Sequence, residues 1–136
     1  KFILDFALDQ FGEPYVWGAK GQDQWDCSGL VVAALKHALL WDGVIRNAQG
    51  IYNFFAENGE CVKEANEALA GDLVFYGKDV HSIIHVGICV GHGIMIGANG
   101  GKINGGEVNI RNITYHSLPV VAYIDPVIGW EKNQKV

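Results

Sequence analysis

Apolar residues change their period halfway along this chain. From Phe2 to Phe11 they fall at positions 2, 3, 6, 7 and 11, with Asp5 and Asp9 between them, which is the spacing of a helix with one apolar face. Gly12 and then Pro14 close that run as a helix stop. Residues 15 to 25, with Gly18, Gly21 and several polar groups, read as a loop. A second helix is predicted from about Asp26 to Leu40, and a third from about Asn47 to Glu57, closed by Asn58-Gly59. Beyond that point the pattern is one of strands. Asp72–Tyr76, Ile84–Val90 and Ile94–Ala98 are short apolar runs punctuated by glycine, and Gly91-His92-Gly93 reads as a hairpin turn. Glu107–Ile113 and Val120–Ile124 add two more strands. Helices first and strands afterwards predict an α+β fold, with the N-terminal helices packed on one antiparallel β-sheet. Residues 1–130 fit one domain, and residues 131–136 read as a charged tail. No repeat, low-complexity tract or linker interrupts the pattern.

Composition narrows the function classes. A chain of 136 residues, 49% apolar and 18% charged, is ordinary for one globular core, and its 18 glycines point to tight turns and close backbone approaches. The formal charge is −5 and the lysines and arginines are scattered, so the basic stripe of a nucleic-acid binder is missing. The longest apolar run, Leu30 to Trp41, is broken by Lys36 and His37 and reads as a buried helix, so no membrane span is expected. Lys1 rather than Met opens the chain, as in a trimmed piece, so the lack of a leader pattern carries no weight on export.

The three cysteines are more informative. An odd count leaves at least one thiol outside any disulfide. Cys61 and Cys89 alternate with Val and Ile in strand-like stretches and read as core filler. Cys27 is different, because Asp26-Cys27-Ser28-Gly29-Leu30 stands where a loop becomes a helix. Asp26 suits the N-cap, which sets Cys27 in the first turn at the positive end of the helix dipole. A thiolate is stabilised there, and the exposed N–H groups can receive a developing oxyanion. A small residue packed at a helix start would look the same, so the site needs a proton partner to be more than that.

His85 is the best placed of the five histidines, alone on the apolar strand Ile84-His85-Val86-Gly87-Ile88, where it shares a face with Gly87 and Cys89. His37 reads as facing solvent, and His92 and His116 as surface residues on a turn and a late loop. His81, His85, Cys89 and His92 fall close enough together to suggest zinc, but their four-residue spacing suits a helix and this segment reads as loop and strand. We therefore expect no metal and no other cofactor.

Four blocks then carry a resemblance: Gly12-Glu13-Pro14-Tyr15-Val16-Trp17-Gly18, Asp26-Cys27-Ser28-Gly29-Leu30-Val31, Gly71-Asp72-Leu73-Val74-Phe75 and His85-Val86-Gly87-Ile88. In order and spacing the chain resembles the NlpC/P60 cell-wall peptidases over nearly its whole length. The resemblance implies a papain-like α+β fold and cleavage of amide bonds in peptidoglycan stem peptides, often between D-γ-glutamate and a diamino acid. It implies Cys27 as nucleophile and His85 as general base and acid, with Tyr15 near the nucleophile and the bound peptide. Asp26 and Ser28 would hold the free amino end of the stem peptide. A monomer is expected, acting outside the cell, in the envelope or in a phage virion.

One position departs from the pattern. The family carries a polar residue twelve positions after the catalytic histidine to orient its imidazole, and here that position is Gly97. Asn99, two residues on and hence on the same strand face, could take that task, as could a backbone carbonyl or a water. Three readings stay open on these residues: a peptidase working through a thioester, a wall-binding module that kept the fold and lost the chemistry, and a thiol acyltransferase or amidase on a non-wall amide.

Overall fold

A computed structural model describes residues 2–12, 26–38, 47–57, 59–99 and 107–128. Among these residues three α-helices come first, α1 (Phe2–Asp9), α2 (Cys27–His37) and α3 (Ala48–Ala56). Two of them begin on a side-chain cap. Asp26 Oδ1 accepts the Gly29 N–H at 2.5 Å, and Asn47 Oδ1 accepts the Gly50 N–H at 2.8 Å. Their buried residues recur every three or four positions: Ile3 and Ala7 in α1, Leu30, Val31, Ala34 and Leu35 in α2, Ile51 and Phe55 in α3.

The helices end earlier than the apolar pattern suggests. After Asp9 the chain tightens, with Gln10 N–H bonded to the Ala7 carbonyl and Phe11 N–H to that of Leu8, and Gly12 turns away at φ +89°. α2 stops at His37 rather than Leu40, and residues 39–46 lie outside the described residues, as does the predicted tail.

Among the described residues, six strands form one antiparallel sheet in the order β1-β6-β2-β3-β4-β5. They are β1 (Val62–Lys63), β2 (Leu73–Gly77), β3 (Ile83–Gly91), β4 (Ile94–Asn99), β5 (Glu107–Asn112) and β6 (Val120–Ile124). β1 is unforeseen, since two residues carry no readable period. β3 and β4 form a hairpin whose two loop residues, His92 and Gly93, both have positive φ, 56° and 77°.

The sheet is covered on both faces. On one, the helices bury Leu73, Phe75, Val86, Ile88, Ile96 and Ala98. On the other, Val74, Tyr76, Cys89, Met95 and Tyr123 form a second cluster, closed over by Ile113, Tyr115 and Val120. Two covered faces explain why the strands read as apolar runs instead of clean alternation.

β2 and β3 pair with one irregularity: Tyr76 faces His85 while Gly77 faces Ile83. Ile84 is the extra residue, 59% exposed, and Ile83 before it packs with the helix-side core. A Cβ on Gly77 would run into the Ser82 carbonyl, so the bulge requires glycine there.

Candidate active site

Cys27 is the first residue of α2, and α2 packs on β3 and β4. Its thiol is buried at the rim of the helix-side core. Beside it, the Ser28 hydroxyl donates to Asp26 Oδ1 at 3.4 Å, and both residues are buried. Asp26 is thus committed to the cap of the helix that presents Cys27. None of the three cysteines forms a disulfide. Cys61 donates its thiol proton to the Phe55 carbonyl, and burial pushes Cys89 up to about 12, so Cys89 is a neutral thiol at any ordinary pH.

His85 sits on β3 facing away from the helices. The pairing of Ile88 with Ile96 and Cys89 with Met95, carried three residues further, sets His85 across from Asn99. Asn99 Oδ1 lies 2.9 Å from His85 Nε2. The Tyr115 hydroxyl reaches both, donating to Asn99 Oδ1 at 2.8 Å and lying 3.0 Å from Nε2. Asn99 Nδ2 donates to Asn109 Oδ1 at 2.7 Å and to the Asn109 carbonyl at 3.3 Å. Because that amide nitrogen is held by two oxygens, Oδ1 is the atom turned to the imidazole, and Nε2 must carry the proton. Among the described residues, the imidazole's hydrogen bonds all run through Nε2, which leaves Nδ1 for a proton partner.

Aromatic rings surround this imidazole. Tyr76 lies 5.4 Å from it between centroids, and His116 stacks on it at 5.4 Å and 20°. Burial lowers His85 from its ordinary value to about 4, the neighbouring His116 adds to that, and the bond to Asn99 opposes it. His85 is therefore neutral at pH 7, the form a base needs. Burial also lowers His116, whose Nδ1 accepts the Leu118 N–H at 3.0 Å.

Gly97 has a physical reason to be glycine. A Cβ there would lie 3.1 Å from Asn99 Oδ1 and 3.2 Å from Met95 Cε. The volume that the family's side chain would take is partly taken by the Asn99 amide, arriving from two residues along the strand. At Gly87, on the same face, a Cβ would collide with the Met95 methyl.

The structure thus brings His85 and Asn99 into contact and puts Asp26, Cys27 and Ser28 at the head of the helix packed on their strands. Tyr15 lies outside the described residues. His116 is a correction: it reads as a bland surface residue, yet its ring is stacked on His85, because the turn 113–115 folds back over the sheet and the Tyr76 hydroxyl holds the Ile113 carbonyl at 2.6 Å. Tyr115 and Asn109 are site residues that the apolar pattern does not mark; Asn109 alternates in phase with Gly97 across the β4–β5 pair, the one signal that points to it. Among the described residues no three His, Cys, Asp or Glu side chains gather as metal ligands, and His81 and His92 are exposed.

Known proteins share the chain's sequence pattern and fold. The pattern defining the NlpC/P60 family matches residues 12–121. The chain is 37% identical over 100 residues to the bifunctional muramidase/DL-endopeptidase CwlT of Bacillus subtilis, covering 71% of this chain and 28% of that protein. It is 34% identical over 116 residues to a probable endopeptidase of Corynebacterium glutamicum, covering 85% of this chain and 50% of that one. Among solved structures, NlpC2 from Trichomonas vaginalis superposes with a TM-score of 0.72 at 27% identity, covering 90% of this chain and 45% of that one. The chain spans half or less of the length of these curated relatives.

Proposed function

The chain belongs to the NlpC/P60 family, and we propose that it is a cysteine endopeptidase that hydrolyses an amide bond in peptidoglycan stem peptides, between D-γ-glutamate and a diamino acid. The observation that supports this reading is the 2.9 Å bond from His85 Nε2 to Asn99 Oδ1, which leaves Nδ1 as the imidazole's available nitrogen, on a strand that packs with the Cys27 helix. Nδ1 takes the Cys27 proton as the sulfur attacks the amide carbonyl carbon. An N–H of the first turn of α2 holds the resulting oxyanion. The tetrahedral intermediate collapses to a thioester, the C–N bond breaks, and Nδ1 returns its proton to the departing amine. Water then attacks the thioester, giving a proton to Nδ1, and the acid product and the thiol are released.

The names of the relatives, a DL-endopeptidase and a probable endopeptidase, support the reaction class. Action outside the cell or in the envelope follows from the substrate, and no described helix is long and apolar enough to cross a membrane. The competing reading, a wall-binding module without chemistry, rests on Gly97; Asn99 at hydrogen-bond distance from the imidazole weighs against it. The test is to incubate the protein and its Cys27→Ala variant with defined muropeptides and weigh the products. We expect cleavage by the natural chain alone. Equal turnover by both would sink the mechanism, and binding without turnover by the natural chain would favour the module.

A further inference from the structure

The Asn99 amide is buried and every arm of it is engaged. We infer that Asn109 and Tyr115 are positioning residues for His85, acting through Asn99 to fix the imidazole tautomer; this rests on the peptidase reading above. Asn109 offers two oxygens to Nδ2, at 2.7 and 3.3 Å. If Asn99 turned over, its N–H groups would face the Nε2 side and its oxygen would meet those two oxygens, losing both bonds. Tyr115 holds the same orientation from the other end. Its hydroxyl donates to Oδ1, and its own oxygen stands 3.0 Å from Nε2, so a proton on Nε2 meets two acceptors side by side. A proton on Nδ1 would instead set a bare Nε2 against the Oδ1 lone pairs. The tautomer with Nδ1 free to act as base is thereby selected.

The fold supplies these two residues from outside the cysteine helix. Asn109 lies on β5 directly opposite Gly97, and the glycine leaves the space between the two asparagine side chains open. Tyr115 closes the turn that follows β5, whose Ile113 carbonyl is pinned by Tyr76. Neither residue needs to touch substrate.

The experiment is imidazole nitrogen NMR on protein labelled with ¹⁵N-histidine, with kcat and KM measured on the same samples. His85→Gln identifies the His85 signals. In the natural chain His85 should be the Nε2–H tautomer. Asn109→Ala should give a tautomer mixture, with kcat lowered roughly tenfold and KM unchanged, the worth of about one hydrogen bond. Asn109→Asp, which keeps the accepting oxygens, should restore the single tautomer. Tyr115→Phe should lower kcat by roughly threefold to tenfold on the same scale, and it serves in place of Asn109→Ala if that variant does not fold. An unchanged ring, or an unchanged kcat, in both Asn109→Ala and Tyr115→Phe overturns the inference. If the natural chain turns nothing over, the peptidase reading fails and the ring signals alone decide the positioning.

Discussion

The two faces of the β-sheet are built from the same strands but serve different ends. Towards the helices β3 sends Val86 and Ile88 into a core mainly of aliphatic and phenyl groups, with the Cys27 and Cys61 thiols among them. Away from them it sends His85, in contact with Asn99, Tyr115 and His116 and ringed by hydroxyl and amide groups that all find partners. The first face stabilises through volume and area, and tolerates small shifts. The second depends on direction, since a hydrogen bond weakens steeply with angle. Stability and orientation are thus separated by one residue along a single strand.

That contrast can be broken from either side. The largest effect is expected on the polar face: Asn99→Ala should cut kcat by roughly 10²–10⁴-fold, as when a catalytic histidine loses its orienting group. It should cost stability only about 1–3 kcal/mol, from the partners left unsatisfied. Steady-state kinetics beside a urea melt reads both, and a stability loss without a rate loss would dissolve the distinction. On the helix side, Ile88→Ala should cost about 2–5 kcal/mol of stability while the folded fraction keeps its kcat. If that variant slowed turnover at a temperature where it is fully folded, the faces would be coupled more tightly than the packing suggests.

The smallest effect sharpens the comparison through pH. His85 is held at about 4 against an ordinary 6.5, so below pH 6.5 the unfolded chain takes up a proton that the folded one refuses. Stability should therefore fall as pH drops from 6.5 towards 4, and the loss is complete below that. The total is on the order of 3 kcal/mol. His116, also lowered by burial, adds in the same direction. Melts of the natural chain and of His85→Gln across this range should diverge, the variant being flatter; parallel curves would mean that His85 is not the group responsible.

Much of the site is legible in the order of residues alone. Asp26 before an apolar helical run gives the cap, and the cap gives the position of Cys27. The two-residue period of a strand puts Asn99 on the face of Gly97, and its amide does lie at the imidazole. What the sequence conceals is what arrives from far along the chain. Tyr115 and His116 follow a turn with no period of its own, and they come to His85 only because Tyr76, 37 residues earlier than Ile113, bonds that turn's carbonyl. A two-residue strand such as Val62–Lys63 is equally mute, since its partner β6 defines it. Tyr15 stays an expectation from the resemblance.

The bulge at Ile84 has a consequence for inheritance of the site. Because one residue is spare, Ile83 can anchor the beginning of the strand in the helix-side core while His85, two positions on, still looks the other way. Removing that spare residue would make Ile83 and His85 immediate neighbours, on opposite faces by the ordinary alternation of a strand, so anchor and base would keep their faces and only the bulge would go. The segment can therefore lose its spare residue without moving the base off its face, and the demand for glycine at position 77, which exists to clear the Ser82 carbonyl, would go with the bulge.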